Sequence, residues 1–324
     1  MPVSLQSAHD TFLARHQHLP PAAVHKAVGD QVLLTDARQI GDNRFLVAAL
    51  WPGDHLLYQP DSSGSGDPNF VLESVRQAAI HLSHRFFGIP DRGWAFVLSR
   101  FEVDVTSPRL PHVAGAAVPT TLDISCTHTE RRSGSAAMSI KADVIVDGVR
   151  HAYAAVRWNI LPARQYAALR MRNRPTPTAT SRNLATLPTI GVSPEVVGRR
   201  RSGDVLLAEA AGLPDQAWVL AMDRTHPVFF DHESDHIPGM VLIEAVRQAA
   251  HAADTRLAGP ARGTHPSCLV ADFECFCDLD APVLVAATNA AHGHRAFIVT
   301  VEQGDRTVVR AHLTFPARGE ASAC

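Results

Sequence analysis

The sequence lacks the features of several common functional classes. Its formal net charge is −2, from 30 Lys and Arg against 32 Asp and Glu in 324 residues, so nothing predicts a nucleic acid or an anionic membrane as a partner. No apolar run approaches the roughly 20 residues that span a bilayer. Residues 1–25 contain no basic segment followed by an apolar one, which a signal peptide would need. These absences predict a soluble, cytoplasmic protein.

Motifs for covalent, redox or metal chemistry are also scarce. The five cysteines form no CxxC pair, and the chain has no GxSxG nucleophile elbow, so packing is the favoured role of the cysteines and a covalent acyl-enzyme is not expected. His232 to His236 does spell HExxH, but that zinc motif works only on a helix. Pro238 and Gly239 follow within two residues and favour a helix that begins there. We therefore predict no metal and no cofactor.

The chain does contain an internal repeat, in which one unit occurs twice. Residues 73–79, Glu-Ser-Val-Arg-Gln-Ala-Ala, recur as Glu-Ala-Val-Arg-Gln-Ala-Ala at 244–250. Further matched segments pair 32–36 with 205–209, 45–49 with 218–222, and 99–104 with 271–276. Because the four pairs keep nearly the same separation along the chain, little is inserted or lost between the copies. A period of about half the chain indicates a duplicated domain, since the units of a solenoid are shorter.

Each copy has the same predicted order of elements. Two strands precede one long helix, which Pro68 starts and Gly88 stops in the first copy, and several antiparallel strands follow. The predicted helices are 69–87 and 239–257; the predicted strands are 31–36, 44–51, 94–105, 120–128, a hairpin over 135–159 that turns at Asp147-Gly148, 268–279, 283–292 and a hairpin over 295–315. This is the layout of a hotdog domain. The predicted fold class is therefore α+β, a tandem (double) hotdog in which an antiparallel sheet wraps each long helix.

The predicted domains are residues 1–161 and 202–324, joined by a linker or crossover at 162–201 that is rich in Pro, Thr and Arg. In this linker Arg199, Arg200 and Arg201 are interpreted as solvated charge. We expect the two domains to pack as a pseudo-dimer, with their helices related by a pseudo-twofold axis. Whether two such chains associate as a homodimer is left open.

Residues 227–248 carry a resemblance to known families. The aromatic pair, the His, the Pro-Gly and the Glu-Ala with its following Gln resemble the dehydratase-type hotdog signature of fatty-acid synthesis, although the loop is about two residues shorter and Arg247 replaces a small or apolar residue. Asp-His-Ile-Pro-Gly-Met-Val-Leu-Ile-Glu-Ala-Val-Arg-Gln at 235–248, with its degenerate upstream copy and Val-His-Lys at 24–26, is similar to the A-factor (γ-butyrolactone) biosynthesis family of AfsA-like tandem hotdog proteins. The resemblance covers nearly the whole chain.

The resemblance implies an acyltransferase and its substrates. Such an enzyme joins a β-ketoacyl thioester, carried on acyl carrier protein, to dihydroxyacetone phosphate. The ester is the precursor of a γ-butyrolactone, butenolide or alkylfuran signalling molecule. Two alternatives remain, a hotdog dehydratase or thioesterase acting on acyl thioesters, and a non-catalytic acyl-binding module.

The repeated segment supplies residues for this chemistry. Glu244 and Glu73 lie one turn into their helices and are predicted to take a proton. Gly239 lets a carbonyl oxygen approach the free N–H groups of a helix start, whereas the first copy has Pro68-Asn69 there. Arg247 and Arg76 are predicted to bind phosphate. The alternative interpretation is an ordinary Glu–Arg pair at i, i+3 in each helix.

The histidines are assigned through the resemblance. In homodimeric dehydratase-type hotdogs, the loop His of one subunit faces the helix Glu of the other. This implies that His232 or His236 faces Glu73 and that His55 faces Glu244. His232 is predicted to be catalytic, and His55 and His236 to bind substrate. Gln248 is a further predicted substrate-binding residue, although Gln77 and Gln248 would more ordinarily bind backbone groups.

Overall fold

The computed structural model of the protein describes residues 17–131, 134–258, 264–290 and 295–316. The chain divides into two compact units, which are described separately. The first unit comprises Met1–Pro60, Gly66–Leu98 and Glu102–Ala163, and the second comprises Asp61–Ser65, Ser99–Phe101 and Arg164–Cys324. No helix among the described residues is long and apolar enough to cross a membrane.

The first unit is a sheet of antiparallel strands around one long helix. Its elements are β1 (Leu34–Gly41), β2 (Arg44–Trp51), α1 (Asn69–Phe87), β3 (Trp94–Val105), β4 (Val118–Glu130), β5 (Ala136–Val146) and β6 (Val149–Pro162), preceded by two 3₁₀ turns at Pro21–Val24 and Gly29–Gln31. The strand order is β1-β2-β4-β5-β6-β3. The pairs β1–β2, β2–β4, β4–β5 and β5–β6 are antiparallel.

The sequence explains why α1 is the centre of this unit. Every residue from Asn69 to Ser83 except Arg76 is buried, which fits apolar side chains spread around the whole helix instead of along one stripe. The N–H of Asn69 donates to Asp67 Oδ1 at 2.9 Å at the helix start, and Gly88 ends the helix in the left-handed region with φ 65°. The helix packs on β1, β2, β5 and β6.

The second unit repeats the arrangement. It contains α2 (Ala163–Arg172), α3 (Ala179–Leu184), β7 (Thr189–Gly191), 3₁₀ turns at Pro194–Val197 and Ser202–Asp204, β8 (Leu207–Ala210), β9 (Ala217–Leu220), α4 (Gly239–Ala258), β10 (Cys268–Phe273), β11 (Leu284–Asn289), β12 (Ala296–Gln303) and β13 (Arg306–Thr314). The strand order is β10-β13-β12-β11-β9-β8-β7, with antiparallel neighbours. The helix α4 packs on β8, β9 and β11 to β13.

The predicted fold class is confirmed, since each unit has a long helix enclosed by an antiparallel sheet in the hotdog arrangement. The predicted hairpin turn is also confirmed, because Asp147 (φ 49°) and Gly148 (φ 76°) join β5 to β6 with two positive φ angles, as a type I′ turn requires.

The strand predicted at 268–279 ends earlier, at Phe273. The segment 162–201, predicted as a linker, contains α2, α3 and β7. The exact domain boundaries stay a prediction.

Candidate active site

Glu244, in the second turn of α4, is the centre of a buried ionic cluster. Arg199 donates to it through Nε, 2.7 Å from Oε1, and through Nη2, 2.5 Å from Oε2. Arg247 donates through Nε, 3.0 Å from Oε2, and Nη2, 2.8 Å from Oε1. Gln248 Nε2 adds a further hydrogen bond, 2.6 Å from Oε1. Both side-chain oxygens of Glu244 are therefore surrounded by donors.

This environment keeps Glu244 ionised. Burial alone would raise the pKa of the carboxyl group, but the charges and hydrogen bonds of Arg199 and Arg247 outweigh burial and hold that pKa well below its usual range. A carboxylate in this state is a weak proton acceptor. The base role predicted for Glu244 stays a prediction, and it would require an arginine to release the carboxylate first.

Arg247 has one group that the cluster does not use. Its Nη2 also donates to the carbonyl oxygen of Val197 at 3.0 Å, and its side chain is only 2% exposed. Its Nη1 is buried and has no hydrogen-bond partner among the described residues. A buried guanidinium N–H without an acceptor is costly, so this atom is suited to an anionic ligand oxygen.

Glu73 in the first unit is held in a parallel way. Arg76 donates to it through Nε (2.8 Å) and Nη2 (2.7 Å), and Gln77 Nε2 lies 2.8 Å from Oε1. The second cation here is Lys26, whose Nζ lies 3.2 Å from Oε1. Burial raises the pKa of Glu73, and the charges of Arg76 and Lys26 outweigh it and lower that pKa. Arg76 is 20% exposed, so water reaches this copy of the cluster more easily.

Arg199 corrects one prediction and adds a site residue that the sequence analysis missed. It was expected to be solvated linker charge, yet it is 5% exposed and paired with Glu244; Arg200 and Arg201 are exposed, as predicted. A signal was present in the repeat. Arg199 follows a 3₁₀ turn and the left-handed Gly198, as Lys26 follows a 3₁₀ turn and the left-handed His25. The two cations have the same separation along the chain as the matched segments 32–36 and 205–209.

Both glutamines bind backbone groups. Gln77 accepts from Leu33 N at 2.9 Å and donates to Gln31 O at 2.8 Å. Gln248 accepts from Leu206 N at 2.8 Å and donates to Asp204 O at 2.7 Å. These bonds tie each helix to the chain that precedes β1 or β8. The substrate-binding role predicted for Gln248 stays a prediction, although its whole amide is already engaged.

His55 is a buried loop residue that orders its own turn. Its Nδ1 accepts the N–H groups of Leu57 (3.2 Å) and Tyr58 (3.0 Å), and its ring stacks on Tyr58 at 4.3 Å between centroids. Because Nδ1 is an acceptor, a neutral ring carries its proton on Nε2. A substrate-binding role for His55 stays a prediction.

The counterpart of His55 in the second unit is His226, which the sequence analysis did not identify. His226 stands as far before Glu244 as His55 stands before Glu73. Its Nδ1 accepts from Val228 N and Phe229 N, both at 3.2 Å, and its Nε2 lies 3.1 Å from Oδ1 of the buried Asp204. The shared Nδ1 contacts indicate that the two histidines have the same structural role.

His232 and His236 lie in the irregular segment before α4, which begins at Gly239 as predicted. His232 is 46% exposed, with Nδ1 2.7 Å from Asp231 Oδ1. His236 is 30% exposed. Since the segment is not helical, the two rings share no helical face, which removes the structural basis of a zinc HExxH motif. The predicted pairing of a loop histidine from one repeat with the helix glutamate of the other stays a prediction.

The two helix starts differ. Counted back from the glutamates, Gly239 corresponds to Pro68, and not to Asn69 as the sequence comparison suggested. Proline has no N–H to offer, Asn69 N already donates to the carboxylate of Asp67, and both residues are buried. Gly239 at the start of α4 is half-buried instead. The first N–H groups of a helix have no intrahelical partner, and this difference favours the start of α4, although an oxyanion site there stays a prediction.

Comparisons with known proteins agree with the duplication of the chain. The family model of AfsA, the A-factor biosynthesis hotdog domain, matches residues 7–162 and 180–317. The chain is 32% identical over 294 residues to a 2-oxo-3-(phosphooxy)propyl 3-oxoalkanoate synthase of Streptomyces virginiae, covering 90% of this chain and 95% of that protein. It is 31% identical over 304 residues to a protein of the same name from Streptomyces griseus, covering 90% and 94%.

Among solved structures, a protein described as a thioesterase from Novosphingobium aromaticivorans aligns with a TM-score of 0.51. The alignment covers 87% of this chain and 98% of that one at 13% sequence identity. At this level of identity the likeness concerns the fold alone.

Proposed function

The chain belongs to the A-factor biosynthesis hotdog family, and we propose that it is an acyltransferase that condenses a β-ketoacyl thioester with dihydroxyacetone phosphate. The product would be a 2-oxo-3-(phosphooxy)propyl 3-oxoalkanoate, the compound in the name of the curated relatives. In this reaction the hydroxyl oxygen attacks the thioester carbonyl, a C–O bond replaces the C–S bond, and the thiol leaves with the hydroxyl proton. A site for it must bind a phosphate, stabilise an oxyanion and exclude water.

The observation that carries the proposal is the buried pair of guanidinium groups, Arg199 and Arg247. Together with Glu244 they form a cluster of two positive charges and one negative charge, with side chains 1–2% exposed. Arg247 Nη1 still needs an acceptor. A phosphate would supply both the missing acceptor and a compensating negative charge. A dehydratase or thioesterase substrate without a phosphate would supply no compensating charge at this atom.

The start of α4 supports the second requirement. Gly239 has no side chain to block a carbonyl oxygen, and a helix N-terminus carries a partial positive charge. We propose that the developing oxyanion of the thioester carbon is stabilised here. The first unit, with Pro68 at the corresponding position, is proposed to contribute less to this step.

Two finer features belong to the same proposal. The thioester is proposed to arrive on acyl carrier protein, in the cytoplasm, and the ester is proposed to lead to a γ-butyrolactone, butenolide or alkylfuran signal. Glu73 and Glu244 are kept as proposed site residues, with the primary task of holding Arg76 and Arg247 in place. Arg76, whose side chain is more exposed than that of Arg247, is proposed to contribute less to phosphate binding, and His55, His232 and Gln248 remain proposed contributors.

The proposal is tested by incubating the purified protein with a β-ketoacyl thioester, with and without dihydroxyacetone phosphate, and identifying products by mass spectrometry. We expect the phosphorylated ester only when both substrates are present. Dihydroxyacetone without the phosphate is the matched control and should react far more slowly. Free β-keto acid formed equally without the phosphate substrate would identify a thioesterase, and water loss from a β-hydroxyacyl thioester would identify a dehydratase; either result, without ester, would contradict the proposal.

A further inference from the structure

Asp235 and His236, just before α4, form a hydrogen-bonded pair that the ionic cluster does not include. His236 Nδ1 lies 2.7 Å from Asp235 Oδ1. A carboxylate oxygen can only accept, so Nδ1 carries a proton and donates it. In the neutral ring Nε2 then has the free lone pair, and no described residue forms a hydrogen bond with it. The carboxylate thus fixes the tautomer in which the outer nitrogen of the ring is basic.

A second element holds this pair in place. Tyr166 on α2 donates from its hydroxyl group towards both carboxylate oxygens of Asp235, at 2.7 and 2.8 Å. Arg170, one turn further along α2, donates from Nη2 to the carbonyl oxygen of Asp235 at 2.8 Å. Burial raises the pKa of Asp235, but hydrogen bonds from His236 and Tyr166 and the charge of Arg170 outweigh burial and lower that pKa. Asp235 therefore stays ionised opposite the ring.

The other side of the segment is fixed by Phe276. The ring of His236 meets that of Phe276 edge-on at 5.3 Å between centroids, and the ring of Tyr166 does so at 5.5 Å. The guanidinium of Arg170 lies over the same ring at 4.9 Å and forms an ion pair with Asp278 at 2.9 Å. The next residue, Ile237, donates its N–H to Cys277 O at 2.9 Å. Packing and hydrogen bonds thus restrict the ring of His236 on several sides.

The pair lies beside the proposed oxyanion site and exists only in the second repeat. His236 is three residues before Gly239, where α4 begins. Counted back from the repeated glutamates, the first repeat has Gly64 and Ser65 at the positions of Asp235 and His236. Neither can take up a proton. The glycine at the helix start is likewise found only in the second repeat. Both features, the Asp-His pair and Gly239, therefore lie at the start of α4.

From this geometry we infer that Nε2 of His236 is the base in the proposed acyl transfer. Asp235, Tyr166 and Arg170 are positioning residues for it. The inference rests on the proposed function. Nε2 takes the hydroxyl proton of the three-carbon substrate as its oxygen attacks the thioester carbon. The C–S bond then breaks, and the thiolate takes the same proton from Nε2, so the ring returns to its starting state.

This assignment removes the difficulty with Glu244. That carboxylate is held by hydrogen bonds from Arg199, Arg247 and Gln248, whereas Nε2 of His236 has none among the described residues. Proton transfer and anion binding are therefore assigned to different residues of one unit.

The first test replaces His236 by Asn, which retains a donor near the position of Nδ1 but has no basic nitrogen. We expect kcat for ester formation to fall at least about 100-fold, with an unchanged thermal midpoint. His312→Asn, which alters an exposed histidine on β13, is the matched control and should keep wild-type kcat. Full activity of His236→Asn, or loss of activity in His232→Asn alone, would overturn the inference. Absence of ester from the wild-type protein would instead contradict the proposed function.

The second test separates positioning from a merely structural role by pH profiles of kcat/KM. The groups that face His236 are Asp235, Tyr166 and Arg170, with Asp278 behind Arg170. Asp235→Asn removes a negative charge and should move the acid limb to lower pH. Tyr166→Phe removes a hydrogen bond to the carboxylate of Asp235. The negative charge then stabilises the protonated ring of His236 more strongly, so the acid limb should move to higher pH.

Tyr166→Phe should also lower kcat by about tenfold, which is the effect of one lost hydrogen bond to a charged group. Tyr153→Phe, on β6, is the matched control and should change neither the rate nor the profile. Acid limbs that stay in place, or that move in the same direction in Asp235→Asn and Tyr166→Phe, would contradict the positioning roles.

Discussion

At the scale of single residues, the two glutamates of the repeat show how a charge can remain inside a hotdog core. Each lies among apolar helix neighbours, and each is held by the arginine three residues later and by a second cation from the segment just before β1 or β8. An unpaired buried carboxylate would take up a proton. Arg76 with Lys26, and Arg247 with Arg199, prevent this. Neither Lys26 nor Arg199 could be assigned from local sequence because each contact joins residues far apart in the chain.

His251 gives a prediction at this scale. It lies one turn after Arg247 on α4, is 3% exposed, and donates from Nδ1 to the carbonyl oxygen of Val196 at 3.0 Å. Burial first, and then the charge of Arg247, lower the pKa of His251 from 6.5 to about 4. Between these pH values His251 is therefore protonated in the unfolded chain and neutral in the folded chain. As a result, the free energy of unfolding falls as pH drops from about 6.5 towards 4.

This histidine could account for up to about 3 kcal/mol of that loss. We expect His251→Gln to show a flatter dependence of unfolding free energy on pH in this window, measured by urea denaturation at several pH values. The exposed control His312→Asn should follow the wild-type curve. Parallel curves for His251→Gln and wild type would contradict the neutral buried state.

At the scale of elements, the long helices were the easiest parts to predict. Their nearly identical segment, the turn residues around Pro68 and the stop at Gly88 are local signals, and α1 begins and ends at the predicted residues. The 3₁₀ turns before Lys26 and Arg199 were not predicted, because such short turns show no periodic pattern. The role of α2 was missed for a different reason. Its Tyr166 and Arg170 act through tertiary contacts with a loop 69 and 65 residues away.

The geometry of the turn before Arg199 leads to a prediction for Gly198. This residue has φ 67°, and a Cβ atom there would lie 2.8 Å from the ring of His251. Gly198→Ala combines left-handed strain of about 1–2 kcal/mol with a clash against a buried ring. Gly212 has φ 80° but open space around its Cβ position, so Gly212→Ala is the matched control for strain alone. We expect Gly198→Ala to lower the free energy of unfolding clearly more than Gly212→Ala, measured by urea denaturation. Equal losses of unfolding free energy in the two variants would mean that the ring of His251 makes no steric contact with a side chain at position 198.

At the scale of the whole molecule, the repeat predicts two similar folds but not two equal sites. Fold class, helices and the main ionic pairs followed from residues that the two copies share. We propose that the differences between the copies decide the function. The second unit has an arginine where the first has Lys26, a glycine where the first has Pro68, and an Asp-His pair where the first has Gly64 and Ser65. These differences stand in the sequence, but the sequence analysis did not identify them as parts of a site, because burial and hydrogen bonding decide which copy can hold an anion.

The central claim is that Arg247 of the second unit binds the phosphate of the hydroxyl substrate. Arg247→Met keeps an apolar stem and leaves Glu244 paired with Arg199, so the fold should tolerate it, which a thermal midpoint checks. The matched variant is Arg76→Met in the first unit, which leaves Glu73 paired with Lys26.

The decisive measurement is the ratio of kcat/KM for dihydroxyacetone phosphate to that for dihydroxyacetone, in both variants and the wild type. We predict that Arg247→Met lowers this preference by at least about tenfold, the effect of one lost charge-assisted hydrogen bond, and that Arg76→Met largely keeps it. An unchanged preference in Arg247→Met, or a loss confined to Arg76→Met, would contradict the account.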